Sequence, residues 1–596
     1  MAEIGSFDKI KGDPATYQLG GGEDAVVMAK RLGSVGLDIE TAGLGELAWQ
    51  IKAVVISSEM HSHILDPVAD RAAITDVLEV ATELVVHNAP FDVPLLVGSG
   101  MMQARACHKV YDTLVTARMA HPGHGSKALG AACERHLGEG YAVAKASLGE
   151  AYRALTGRSK SAMFAELGLD SDAYVSYAGF DGVMAQRLRK VLPSDLAAFT
   201  ADHPYPRTDV SAQYLEQREQ LINRALLYRA CLGLEVDTEV LDQLQADMRG
   251  VSIAQARVLE GYGVETDGSA AAVKTRAMTV LDELGEISSA HKRLKSGAPS
   301  AAQAERDRIS HPIIEAINLR SVAERFSIDY AEKLSDLMHG GRVHPQTNIM
   351  IARTGRMSIG TPPLQQYPPK VRSMLRFDQP VTSLDWSSIE PVYFANVAGE
   401  SNLLEHFDGG GDLYQPIADM AGTDRTTAKV VLLAQLYGQG APGLARRLGI
   451  EEHAAYELVG EVMATMPRIE RASRAIRKAS DAFGMVQTMS GRIVPQDPDP
   501  RTGNRRYKGY IGVNHYVQGS CYDLLAESIV AMVDQGMGDH LHLAVHDELI
   551  VSSEVADEVE HIMTEPPADM IELAGRVPVL RVGRAELGRS WGEKEQ

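Results

Sequence analysis

Residues 541–553, LHLAVHDELIVSS, set a polar turn, His546-Asp547-Glu548, between two apolar runs. Short apolar runs joined by so brief a turn specify a β-hairpin, here with two carboxylates at its tip. A hairpin holds carboxylate oxygens far more rigidly than a loop, and rigid oxygens suit hard divalent cations. Alone, three polar residues in a turn most often mean only a solvated turn. A second stretch, VTSLDWSSIE, reads as a buried strand that delivers Asp385. Two strands that each offer one aspartate are the simplest frame for two metal ions about 4 Å apart.

A second acidic constellation lies in the first third. VGLDIET, residues 35–41, reads as a buried strand whose alternation puts Asp38 and Glu40 on one face. ELVVHNA, another strand, runs into NAPFDVPLL, where Asp92 begins a helix. In SDAYVSYAGFDGVMAQRL the period is helical, and Tyr177 and Asp181, four apart, share a face. Taken singly, these are strand-end solvation and a surface helix pair. Together, four carboxylates and a phenol from three segments can hold two metals and orient a water for phosphodiester hydrolysis.

At 596 residues the chain exceeds what one core supports, so several domains are expected. The start, MAEIGSFDKIKGDP, has no apolar signal region, and no run of about 18 apolar residues follows. The expectation is a cytoplasmic protein with no membrane segment. Four cysteines without a CxxC pair argue against a zinc site and a disulfide framework. A formal charge of -20 runs against nucleic-acid binding, but phosphates are met by local patches. Basic clusters occur at Arg353, Arg356, Lys370, Arg372 and Arg376, at Arg468, Arg471, Arg474, Arg477 and Lys478, and at Arg501, Arg505, Arg506 and Lys508. Each alone reads as a solvated face; grouped near the acidic strands they suggest a DNA track. The segment 291–308, HKRLKSGAPSAAQAERDR, reads equally as a flexible tip or as a phosphate grip through Lys292, Arg293 and Lys295. A helix is expected from Asp424 to Tyr437, capped by Thr423 or Asp424, with Arg425, Lys429, Leu433 and Tyr437 in one row. Cations followed by apolar side chains in line suit a nucleotide, phosphates first and then sugar and base.

With these residues in order, the first third resembles the DEDDy type of 3′–5′ exonuclease, whose motifs read DxE, NxxxD and YxxxD. The resemblance implies that Asp38, Glu40, Asp92 and Asp181 bind metal, that Tyr177 positions the attacking water, and that Asn88 is their polar neighbour. The rest resembles family A DNA polymerases, of the bacterial DNA polymerase I large-fragment and phage replicative kind, through TGRMS, LDWSSIE, RTTAK with LYG, NHYVQGS and VHDE. The implied fold is α/β: an RNase H-like exonuclease domain over 1–190, then a right-hand polymerase. That hand divides into a connector and helical thumb over 191–345, palm over 346–410, fingers over 411–484 and a second palm segment over 485–596.

The same resemblance assigns roles. Asp385 and Asp547 would hold two Mg²⁺ ions, with Mn²⁺ as the alternative, and Glu548 would be a metal-adjacent carboxylate. Arg425 and Lys429 would grip the dNTP phosphates, Lys429 protonating the leaving pyrophosphate. Glu390 would exclude ribose, and Tyr437 would stack near the template. Arg356, Gln518, Gln365 and Asn514 would contact DNA, and His546 would orient the primer end. Three departures from the family pattern stand out: Pro391-Val392 replaces Leu-Arg, Pro363 replaces Asn, and Leu433 replaces an aromatic residue. With no counterpart of the bacterial 5′ nuclease, the expectation is a monomeric phage replication enzyme working in the host cytoplasm on primer-template DNA, beside helicase and single-strand-binding protein. The alternatives are a single-subunit RNA polymerase-like enzyme, and a nuclease or nucleic-acid-binding accessory protein with a silent polymerase body.

Overall fold

The computed structural model describes residues 4–6, 15–123, 125–138, 165–203, 211–503 and 505–592. Among these, a first sheet has seven strands in the order Ile4–Ser6, Thr16–Leu19, His61–Leu65, Ile51–Ser57, Ser34–Thr41, Glu83–Val86 and Val110–Asp112. Ser34–Thr41 runs antiparallel to Ile51–Ser57 and parallel to Glu83–Val86. Its odd residues Val35, Leu37 and Ile39 enter one apolar cluster, so alternation leaves Gly36, Asp38 and Glu40 on the opposite face. Helix Asp172–Ala201 crosses that face. A methyl group on Gly36 would collide with the Gly182 carbonyl oxygen, and one on Gly182 with Ser57 Oγ. Two missing side chains therefore let the helix lie against the strand and bring its Tyr177–Asp181 turn to Asp38 and Glu40.

A second sheet is built on Leu375–Trp386. One edge pairs first with Leu234–Val236 and then with Glu548–Ser552; the other pairs with Val582–Ser590. The expected hairpin forms between Leu541–Val545 and Glu548–Ser552, closing at Val545 opposite Glu548. The turn is therefore His546-Asp547 alone, with His546 at φ 59°, the left-handed geometry that two-residue hairpins demand. Glu548 opens the return strand rather than sharing the tip.

Two expected divisions cut across elements of the fold. Residue 190 falls inside helix Asp172–Ala201, which continues past it for eleven residues. Leu234–Val236 and Arg342–Val343, in the stretch expected to be connector and thumb, are strands of the second sheet. Between them, helices Thr238–Gly261 and Pro312–Arg325 pack along each other as an arm with its own small core of Leu259, Met278, Leu281 and Ile317. The basic segment 291–308 is folded onto this arm: Arg293 makes a two-pronged pair with Asp282 at 2.7 and 2.8 Å, and Arg306 is buried on Asn318. Arg293 is thus committed to Asp282, while Lys292 and Lys295 stay exposed.

Residues 415–483 are helical throughout, apart from short turns. Helix Arg425–Leu436 is capped by Asp424, whose carboxylate accepts from Thr427 N at 3.0 Å. Helix Ala212–Leu232 serves two cores at once. Leu215, Ile222 and Leu226 join the cluster that runs through the second sheet and its helices, while Leu227 and Cys231 join the core of the first sheet. There Cys231 Sγ lies 3.5 Å from Cys107 Sγ, both thiols free. On the same helix the fully buried Arg218 bonds Glu219, Ser490, Asp523 and Glu527. No described helix is long and apolar enough to cross a membrane.

Candidate active sites

The end of Leu375–Trp386 sets Asp385 directly opposite Glu548. Trp386 N donates to the Asp547 carbonyl at 3.5 Å, which folds the hairpin turn over the strand end. Asp385 is exposed, and Asp547 and Glu548 are half-buried. The Ser383 hydroxyl donates to Glu548 and ties that carboxylate to the sheet. Ser388, at φ 56°, turns the strand into helix Ile389–Ala398, whose first turn presents Glu390, only 4% exposed. Arg356 Nη2 donates to Glu390 Oε1 at 2.6 Å and to Asp547 Oδ1 at 3.1 Å. Burial raises the Glu390 carboxyl, against the pull of Arg356 and the Tyr437 hydroxyl. Burial and then Glu390 push the Tyr437 phenol up in turn. Four separate elements thus meet through Arg356, Asp547, Glu390 and Tyr437. The departures Pro391 and Val392 are buried in the helix and bring no charge here.

The expected row on helix Arg425–Leu436 is present. Arg425 and Lys429 are exposed, and both cations lie over the Tyr414 ring, at 5.4 and 5.5 Å. Arg425 also pairs with Asp412 at 2.6 Å. Leu433 packs partly on the core. Asn514 and Gln518 lie one turn apart, half-buried, on helix Gly509–Asp534. Gln365 is engaged with the backbone: its amide reaches Met357 O and Ile359 N at 3.4 Å each, bracing the loop after Arg356. His546 is exposed at the hairpin turn.

In the first sheet, Asp38, Glu40 and Asp181 each bring a carboxylate oxygen within 4.8 Å of the others. Asp92, in the first turn of helix Ala89–Gly98, is 4% exposed. Its carboxyl is raised first by burial and then by Asp38 and Asp112. The Tyr177 phenol is pushed up by burial and then by Asp181, Glu40 and Asp38. Crowded carboxylates that repel one another in this way fit a divalent cation, which neutralises them and takes hard oxygen donors. Asp112 was not anticipated. It accepts from Asn88, Ala89 and Leu114 amides at 2.9 Å each, and so holds Asn88 at φ 82° and fixes the helix that carries Asp92. The signal for it was present, since an Asp between a strand and a helix is a capping residue.

The sequence model of DNA polymerase family A matches residues 271–593. The chain belongs to DNA polymerase family A. Over 507 residues the polymerase is 29% identical to DNA polymerase I of Chloroflexus aurantiacus, covering 80% of the polymerase and 51% of that relative. Over 593 residues it is 25% identical to the DNA polymerase of Mycobacterium phage D29, covering 93% and 92% of the two chains. It therefore spans about half of the bacterial relative and nearly all of the phage one. The POL domain of Pol1 from M. smegmatis, solved with DNA primer-template and dNTP, shares its fold, with a TM-score of 0.72 over 96% of the polymerase and 98% of that chain at 21% identity.

Several arginines of the expected DNA track have partners within the fold. Arg353 pairs with Asp497 at 2.7 Å, Arg376 with Asp237 at 2.6 Å and Arg501 with Asp499 at 2.8 Å. Arg474 pairs with Glu470, and Arg372 lies 4.5 Å over the Trp591 ring. Sequence runs of arginine could not reveal these partners, because several come from distant segments.

Proposed function

We propose that this polymerase extends the 3′ end of a primer annealed to template DNA, and that a separate site in its first third trims unpaired 3′ ends. The observation that carries the reading is the convergence of Asp385, Asp547 and Glu548 at one sheet end, beside the exposed cations of helix Arg425–Leu436. Asp385 and Asp547 in one site, and Asp38, Glu40, Asp92 and Asp181 in the other, would hold Mg²⁺ (or Mn²⁺), which when bound neutralises phosphate charge and activates the attacking oxygen.

Lys429 and Arg425 meet the triphosphate, Arg425 exchanging Asp412 for phosphate oxygens, and Lys429 gives a proton to the departing pyrophosphate. Glu390 lies against the sugar: a 2′-hydroxyl would press on a buried carboxylate already bonded to Arg356, so ribose is rejected. Tyr437 borders the templating base. Arg356, Asn514 and Gln518 face minor-groove acceptors common to all correct pairs, and His546 steadies the primer end. In the first third, Tyr177 orients the water. The near-complete coverage of the phage relative supports phage genome replication as the biological role.

The test is extension of matched and 3′-mismatched primers with Mg²⁺ and dNTPs. Asp547→Ala should abolish extension and spare trimming; Asp38→Ala with Glu40→Ala should do the reverse. Primers that only shorten in abundant dNTPs refute the first activity, and mismatched primers that are never trimmed refute the second.

A further inference from the structure

Between the acids of the first sheet and the loop leading to Arg356 lies a cavity of 770 Å³ walled by both halves of the chain. Asp38 and Asp181 line it, and so do three cations, Arg118, Lys127 and Arg353. The first two belong to the nuclease half; Arg353, with Met350 and Ile351 beside it, belongs to the segment that carries the polymerase family match. Arg118 donates to Ile349 O at 2.7 Å and to Asn348 Oδ1 at 3.3 Å, which staples that loop to the nuclease half. Lys127 donates to the Gly123 and Gly125 carbonyls at 2.7 and 2.9 Å.

Among the described residues, these two cations therefore bond neutral oxygens, whereas Arg353 pairs with a carboxylate, Asp497. Burial and then repulsion from Arg135, Arg353 and Arg118 lower the Lys127 pKa, so the charges feel one another across the cavity. Like charges gathered in a partly buried space cost free energy that an anion would relieve. The cavity is thus two-signed, lined by two carboxylates and three cations. A nucleic-acid strand has the matching chemistry: one phosphate at the acids, its neighbours at the cations, and base faces against Met350 and Ile351.

We propose that Arg118, Lys127 and Arg353 form a phosphate seat for single-stranded DNA approaching the nuclease acids, built jointly by the two halves of the chain. The proposal rests on the trimming activity proposed above. It makes a residue of the polymerase half a determinant of nuclease affinity.

The experiment uses the full chain and a short 5′-fluorescein oligothymidylate. Anisotropy in EDTA gives Kd without turnover, and initial rates in Mg²⁺ give KM and kcat. Lys127→Ala and Arg353→Ala should each raise Kd and KM about fivefold or more and leave kcat within about twofold. Each should lower the slope of log Kd against log salt by about 0.7. Lys127→Arg should restore binding. Asp497→Asn, which removes the carboxylate partner of Arg353 but keeps the cation, should not weaken binding, whereas a merely structural ion pair would make it mimic Arg353→Ala. Kd and KM within twofold of wild type in both alanine variants would overturn the seat, and an effect of Lys127→Ala alone would overturn its joint construction. A wild-type chain that binds with this charge dependence but never cuts would refute the nuclease reading and leave the seat standing.

Discussion

Position 433 carries a prediction about substrate choice. Leu433 faces out from the helix that carries Lys429, packed partly on the core, with no hydroxyl to replace a missing sugar 3′-OH. Dideoxynucleotides should therefore be poor substrates, and Leu433→Tyr should raise their incorporation relative to dNTPs by tenfold or more, about 1.4 kcal/mol. A primer-termination assay decides it, and equal dideoxy use by the two proteins would sink the idea. At this scale the acids were legible because spacing alone aligns them: Asp38 with Glu40 on a strand, Tyr177 with Asp181 on a helix. Asp112, Asp412 and Tyr414 were not singled out. Their importance comes from partners such as Ala89, Arg425 and Lys429, which only the fold brings near.

Among elements, the contact between strand Ser34–Thr41 and helix Asp172–Ala201 depends on what is missing at Gly36 and Gly182. A Cβ at position 36 meets a backbone carbonyl, which has little room to yield. Overpacking of this kind costs about 1–3 kcal/mol, and shifts near 1 Å can cost about a hundredfold in rate. Gly36→Ala should reduce single-strand trimming at least tenfold while extension stays within twofold; trimming at the wild-type rate would show that the approach is not needed. The hairpin at 541–552 was readable because both strands are apolar and the turn is short. Leu234–Val236 and Arg342–Val343 were not, since strands of two or three residues are too short to display a period. Their assignment to the second sheet depends on pairing with Leu375–Arg376 and with each other.

Across the whole molecule, the order of motifs made the polymerase family legible, while the net charge misled. Two histidines, His542 buried and His515 half-buried, give the polymerase a pH response. Burial and then Arg353 bring His515 down to about 4, and burial with Arg229 and His540 brings His542 down to about 3. An unfolded histidine titrates near 6.5. Below that pH the unfolded chain takes up protons that the fold refuses, so stability is lost as pH falls toward the folded values, by about 1.4 kcal/mol per pH unit for each histidine. Asp92 and Asp112, raised by burial, act in the opposite sense. The urea midpoint should drop between pH 7 and pH 5; a midpoint that rises would mean that the raised carboxyls dominate.

Helix Ala212–Leu232, with Leu226 in one core and Leu227 in the other, bears on how such a chain can change over generations. A deletion ending just before it would strip the cover from Leu227 and Cys231 and leave an apolar face in water; one ending just after it would remove Arg218 from beside Asp523. Neither excision yields a tidy module. On the proposed trimming role, a lineage with no use for it would lose it most cheaply by substituting an acid such as Asp38, and so would keep the first third as permanent scaffolding.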